Sequence, residues 1–166
     1  DLPSNIIDKI LTVPNGDIWV ATRAGLSILP SKSTTFKTYL ENDDGKNYYV
    51  NDLVVDKQGV LWIATPNSLK KFDSINKKYL PTDTPLNSPE ISISKLLIGA
   101  EGAMWASSNK GVFQLLKDNS TLVHFTKEDG IQAGEFNAGV GIVLPDGTIA
   151  FGGVEGVTLF KPQNLT

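Results

Sequence analysis

Few residues in this chain could carry out chemistry. His124 is the sole histidine, and there is no cysteine. That excludes disulfides, thiolate zinc sites and any metal cluster built on several imidazoles. A lone histidine in a strand-like segment is read as surface or edge packing. Carboxylates offer slightly more. Glu128 or Asp129, with Glu135 and Asn137 nearby, could form an acid pair for general acid–base work. The same residues could instead cap a turn, and that simpler reading is preferred. No Gly-x-Ser-x-Gly nucleophile turn occurs, and no glycine-rich phosphate loop runs from a strand into a helix. The acidic turns supply one or two carboxylates each, too few for a calcium cage. These residue types suit binding better than catalysis, and no cofactor is implied.

The aromatic residues divide into two groups. Trp19, Trp62 and Trp105 could stack on sugars, but each sits within an apolar run, as in Ile18–Ala21 or Leu61–Ala64, and is read as core. Tyr48 and Tyr49 are adjacent in a polar loop after Asp43–Asn47. They are candidates for ligand contact, with loop anchoring as the alternative.

The tryptophans also reveal what must position everything else. They stand at equal steps of 43 residues, each three residues after a turn glycine: Gly16, Gly59 and Gly102. A fourth copy runs from Gly147 to Gly153, with Ala150 in the tryptophan slot. Strand-like segments recurring at about 40–45 residues are the mark of β-propeller blades. The fold expected is all-β, with four repeats at roughly 1–45, 46–88, 89–133 and 134–166, each a four-stranded antiparallel sheet. The polar fourth strand is visible only in the first three, at Phe36–Leu40, Lys78–Leu80 and Leu122–Phe125. Asn15-Gly16 and Asp146-Gly147 predict hairpins in which both central residues take positive φ. Near-continuous apolar strands fit sheets covered on both faces. Glycine and proline leave no room for a long helix.

Composition limits the partners. Among 166 residues, 15 basic and 18 acidic side chains are spread without blocks, for a net charge of −3. No nucleic-acid footprint is visible, and no apolar stretch is long enough for a membrane span. The chain opens on Asp1-Leu2-Pro3 without a signal peptide and is expected to be a segment of something longer.

The repeat resembles a known family. Leu2–Ile6, then Gly-x-[IL]-Trp-[VI]-Ala-Thr, then Gly-Leu, is similar to the two-component regulator propeller repeat. Glu135–Asn137, followed by Pro145–Gly153 and Gly156–Pro162, resembles its terminal repeat, just before a β-sandwich that leads to the membrane. The resemblance implies a periplasmic sensor region of a bacterial membrane signalling protein, with a histidine kinase or GGDEF cyclase outside this chain. Several relatives sense oligosaccharides. Ala150 and the glycine-free turn Pro66–Ser68 depart from the pattern, and four repeats are fewer than the family's larger rings. Asp56–Trp62 also resembles the Asp-box of sialidase propellers, but its Asp-to-Gly spacing is one residue too long, leaving a turn aspartate.

Topology then places a candidate site. In an up-and-down blade, the second hairpin turn and the connection to the next blade share one face of the ring. That face gathers Arg23, Asn67, Asn109, Lys110 and Glu155 from turns, and Tyr48, Tyr49, Asn87 and Asn137 from longer loops. The opposite face holds only tight hairpins. Irregular loops on a rigid frame are where ligands are usually read, so Arg23, Tyr48, Tyr49, Asn67, Asn109, Lys110 and Asn137 are the candidate binding residues. Two rival functions stand beside ligand sensing: spacer blades with no site, and an enzyme like the streptogramin lyases, for which a lone histidine is poor equipment. Four blades are expected to leave an open arc whose apolar ends find partners, neighbouring blades or a second copy, most simply two arcs closing into an eight-bladed ring.

Overall fold

The computed structural model describes residues 1–39 and 49–165. It is built of four consecutive antiparallel sheets. The first contains β1 (Ile7–Thr12), β2 (Ile18–Thr22), β3 (Gly25–Leu29) and β4 (Lys37–Thr38). The second contains β5 (Asp52–Val55), β6 (Val60–Thr65), β7 (Ser68–Asp73) and β8 (Lys78–Leu80). β9 (Ile93–Ile98), β10 (Met104–Ser108), β11 (Gly111–Leu115) and β12 (Leu122–Phe125) form the third. The last has three strands, β13 (Phe136–Val143), β14 (Ile149–Gly153) and β15 (Gly156–Phe160), where four were expected: after β15 the described chain enters a 3₁₀ turn at Pro162 in place of a polar fourth strand. Strand order follows chain order in every sheet, the up-and-down meander of a propeller blade. Helix among the described residues amounts to two 3₁₀ turns, Lys127–Asp129 and Pro162–Asn164. None of it is long and apolar enough to cross a membrane.

The hairpins correct one expectation. At Asn15-Gly16 and Asp146-Gly147 only the glycine takes positive φ, 85° and 83°. Gly16 N–H donates to Val13 O at 2.9 Å and Val13 N–H to Asp17 O at 3.1 Å. The loop is therefore one residue longer than a two-residue hairpin: a type I turn followed by a glycine bulge, which needs one left-handed residue rather than two.

Side chains pack into three cores, one at each junction between successive blades. Trp19, Leu26 and Ile28 of the first blade meet Leu53, Ile63 and Phe72 of the second. Trp62 and Leu69 meet Leu96, Met104 and Phe113. Trp105 and Val112 meet Phe136, Ile149 and Phe151. All three tryptophans are buried, as expected of core residues. Trp19 stands edge-on to Phe72 with centroids 5.1 Å apart, and Trp105 stacks on Phe125 at 5.7 Å, geometries that rings favour. The repeat thus works by handing one blade's tryptophan face to the next blade's inner-strand face.

One polar layer crosses the inner strands. Lys9, Asp52 and Lys95 stand one repeat apart on β1, β5 and β9. Asp52 is fully buried and accepts Leu96 N–H at 2.9 Å. Lys95 Nζ lies 3.0 Å from its carboxylate and Lys9 Nζ 3.5 Å away on the other side. Burial holds the Lys95 ammonium below its usual pKa, against the pull of Asp52, which supports its charge.

Candidate functional site

A cleft of about 250 Å³ opens between the second and third blades. Its walls are three tight turns: β5–β6, β9–β10 and β11–β12. First and third turns of a meander share one face of the ring, so the cleft lies on the face that the sequence suggested was bare. Each wall is rigid for a local reason. Asp56 accepts the N–H groups of Gln58 and Val60 at 3.0 and 2.9 Å and the indole N–H of Trp62 at 3.0 Å. The turn-aspartate reading is therefore borne out, and its carboxylate is committed to the hairpin. Gly59, at φ 80°, closes that turn in a conformation that most side chains resist. In the β11–β12 turn, Asp118 accepts from the Thr121 hydroxyl and from the backbone of Thr121 and Ser120, which holds its carboxyl well below the usual range.

The cleft has an apolar floor and a polar rim. Trp62, Ile98 and Met104 form the floor; Lys57, Gln58, Glu101, Lys117 and Asn119 stand at the rim. Lys71 Nζ caps the Trp62 ring at 4.3 Å from its centroid, which keeps the indole in the wall rather than presenting its face. Amides, ammonium groups and a carboxylate over an apolar floor can hydrogen-bond a polyhydroxylated ligand while burying its carbon face. A second, shallower concavity of about 360 Å³ runs along the inner strands, with Lys9 and Lys95 as its charged lining.

The residues singled out from sequence lie elsewhere. Arg23 pairs loosely with Asp8 at 3.8 Å, and its guanidinium lies 5.8 Å from the centre of the Tyr49 ring. Those two are brought together; Tyr48 falls outside the described residues. Asn109 accepts Ser92 N–H at 2.9 Å and donates to Glu90 O at 3.3 Å, while Lys110 Nζ meets the Glu90 carboxylate at 2.7 Å. Both therefore pin the connection between the second and third blades. Asn87 does similar work, accepting Leu69 N–H at 2.9 Å. Asn67 is exposed at its turn, and Asn137 is exposed on β13. None of these described residues lines either concavity. Sequence reasoning passed over the cleft residues because tight turns carry no motif. The available signal was that three such turns meet at one junction.

The acid candidates prove to be turn residues. Asp129 accepts Thr126 N–H at 2.8 Å in a capping box, and Glu135 O accepts Val154 N–H at 3.0 Å. His124 stacks on Phe113 with centroids 4.2 Å apart, its Nε2 within 2.6 Å of Lys110 O. It is edge packing, as read from sequence.

With this geometry in hand, comparisons with known proteins become informative. Residues 44–67 match the two component regulator propeller model, which bears out the likeness read from the repeat. Over 74 residues the chain is 40% identical to a histidine kinase P4 of Formosa agariphila, a stretch covering 40% of this chain and 5% of that protein. The extracellular domain of the hybrid two component system BT3049 from B. thetaiotaomicron superposes with a TM-score of 0.80 at 21% identity, over 97% of this chain and 22% of that one. Virginiamycin B lyase from Staphylococcus aureus gives 0.66 at 15% identity, over 97% of this chain and 58% of that one. At these identities the solved structures establish the propeller fold. The chain spans about a fifth of the length of the BT3049 domain and a twentieth of the kinase.

Proposed function

We propose that these four blades belong to the extracytoplasmic sensor region of a bacterial membrane signalling protein, that they act without catalysis, and that the cleft between the second and third blades takes an oligosaccharide. One observation carries this reading. The stretch matching the regulator propeller model, residues 44–67, contains β5, β6 and the turn between them, and so supplies Lys57, Gln58 and Trp62 to the cleft. The 40% identity to a histidine kinase over 74 residues agrees with a signalling parent. The repeat itself names only a scaffold, so the ligand class rests on the rim and floor of the cleft.

Ligand binding at a blade junction has a physical route to a signal. A sugar held by turns of two blades favours one spacing of those blades over another, and it shifts a parent's equilibrium only by that difference in affinity. The test is a thermal-shift screen of the chain against neutral and acidic oligosaccharides, followed by titration calorimetry of any hit. A raised melting temperature is expected, abolished in Glu101→Gln combined with Asn119→Gly, the glycine keeping the left-handed backbone that Asn119 adopts (φ 57°) so that the unliganded melting temperature stays put. No shift with any sugar would favour spacer blades instead. Binding that survives the double variant but fails in Arg23→Ala would return the site to the loop face.

A further inference from the structure

We infer that the concavity along the inner strands is a second ligand site, separate from the cleft, and that it takes a small organic acid, one carboxylate on an apolar body. Its lining comes from the inner strands of all four blades. β1 gives Lys9 and Leu11, β5 residues 53–55, β9 residues 95–98 and β13 residues 141–143. A volume of about 360 Å³ sits at the small end of ligand pockets and suits a molecule of that kind.

The charge in that lining is unbalanced. Lys9, Asp52 and Lys95 pair with Ala21, Ala64 and Ser107, so they hold one sheet position in three successive blades. β13, the inner strand of the fourth, contains no charged residue. Two ammonium groups therefore share one carboxylate, Lys95 at Oδ2 and Lys9 at Oδ1, for a net charge of +1. Asp52 also accepts Leu96 N–H, and among the described residues it is the only carboxylate that either lysine meets. The Lys95 side chain is 4% exposed, so water screens it poorly. Buried charge is tolerated when it is paired, and this layer lacks one negative charge. The lowered pKa of Lys95, set by burial and deepened by Lys9, reports the same deficit.

The rest of the lining says what the anion is attached to. Apart from the two lysines, no lining residue has a polar side chain, and Leu11, Val54, Leu97 and Val143 are only partly buried. A hydrocarbon body can cover them, whereas the hydroxyls of a sugar would find no partners there. An inorganic dianion would exceed the single surplus charge and leave the apolar lining wet. Gly141 sets how closely β13 approaches: a Cβ there would stand 3.0 Å from Lys95 Cγ. Glycine thus lets the lysine stem lie against β13 while its ammonium stays on Asp52. A few converging charges in an otherwise apolar hollow is the usual build of a small-molecule site.

Titration calorimetry of the 166-residue chain with octanoate tests this. Octanoate should bind at one site per chain. Octanol keeps the body without the charge and acetate keeps the charge without the body, so each should bind at least about tenfold more weakly. Lys9→Gln removes the surplus charge at a partly open position, so the fold should survive, as checked by melting. Octanoate affinity should then fall at least about tenfold, and Lys9→Arg should retain it. Glu101→Gln combined with Asn119→Gly, which disables the cleft, should leave octanoate binding unchanged, so the two sites stand or fall separately. No binding of octanoate, equal affinity for octanol, or full affinity in Lys9→Gln overturns the inference. Loss of octanoate binding in the cleft variant would place the carboxylate in the cleft and overturn it as well.

Discussion

Leu53 in the second blade and Ile10 in the first are the same residue of the repeat in different company. One is sealed at a junction between blades; the other faces outward from the end of the array. Nothing local separates them, since both are branched aliphatic residues of an inner strand that pair with the residue following a tryptophan. A blade face is core or surface only by virtue of its neighbour. Stability in this molecule should therefore be concentrated at the three junctions and absent from the ends, as in other arrays whose units touch only their neighbours.

The tryptophan slot gives the sharpest way to break this contrast. Trp62 fills a junction, donates its indole N–H to Asp56 and lies beneath Lys71. Trp62→Ala should cost about 3–5 kcal/mol, the range for removing a large buried aromatic. Ala150 occupies that slot on the open face of the last blade, where Ala150→Trp should move stability by less than about 0.5 kcal/mol. Urea unfolding of both variants decides it, and equal effects would erase the distinction. The next comparison is the aliphatic pair. Leu53→Ala should destabilise by about 2–5 kcal/mol, whereas Ile10→Ala in the monomer should fall within about 0.5 kcal/mol of the parent.

These contrasts also mark what could be read from sequence. The blades were legible because the 43-residue step of Trp19, Trp62 and Trp105 reports a repeated packing event. The tryptophans' burial followed from the same pattern, but the last sheet has three strands where the repeat promised four. The cleft was less legible. Asn109 and Lys110 are polar and exposed in turns, which is how a ligand-reading residue looks in sequence, yet their side chains hold Ser92 and Glu90 in place. The cleft depends on three turns more than 40 residues of chain apart at their extremes, a juxtaposition that only the stacking of blades creates. Hairpin type was misjudged because Asn-Gly suits two turn families, and the length of the loop, not the dipeptide, selects between them.

The polar layer sharpens the comparison within a single repeat position. Lys9 and Lys95 flank the same buried Asp52, but Lys95 is buried and Lys9 is partly open to water. Lys95→Met should cost about 2–3 kcal/mol. That is slightly below the usual cost of stripping one partner from a buried pair, because Lys9 and Leu96 N–H remain with the carboxylate. Lys9→Met should cost less than about 1 kcal/mol, as for a solvent-screened ion pair. Thermal melts of the two variants are the check, and a larger loss at Lys9 would show that the layer is anchored from the first blade instead.

The smallest expected effect lies in acid, where the comparison is between a carboxylate that spans a junction and one that does not. Asp17 sits in the β1–β2 turn of the first blade; burial works to raise its pKa from 3.8, but the Lys77 ammonium from the second blade, Ser31 N–H and Asn15 outweigh it and leave the value lowered. Asp146, in the β13–β14 turn, is lowered by Thr148 and by Lys161 of its own blade. A carboxylate with a depressed folded pKa adds stability that is complete above its unfolded value and fades as pH falls through the folded one. Both aspartates should therefore steepen the loss of stability below about pH 4, and Asn in either place should flatten it. The difference lies in what is released. Protonating Asp17 loosens the tie between two blades, so Asp17→Asn should also raise amide exchange in β3 and in the β7–β8 turn that carries Lys77. Asp146→Asn should leave exchange outside its own hairpin unchanged. If both variants loosened only their own turns, the Lys77 contact would be a surface pair, and the junction would owe its strength to the apolar faces alone.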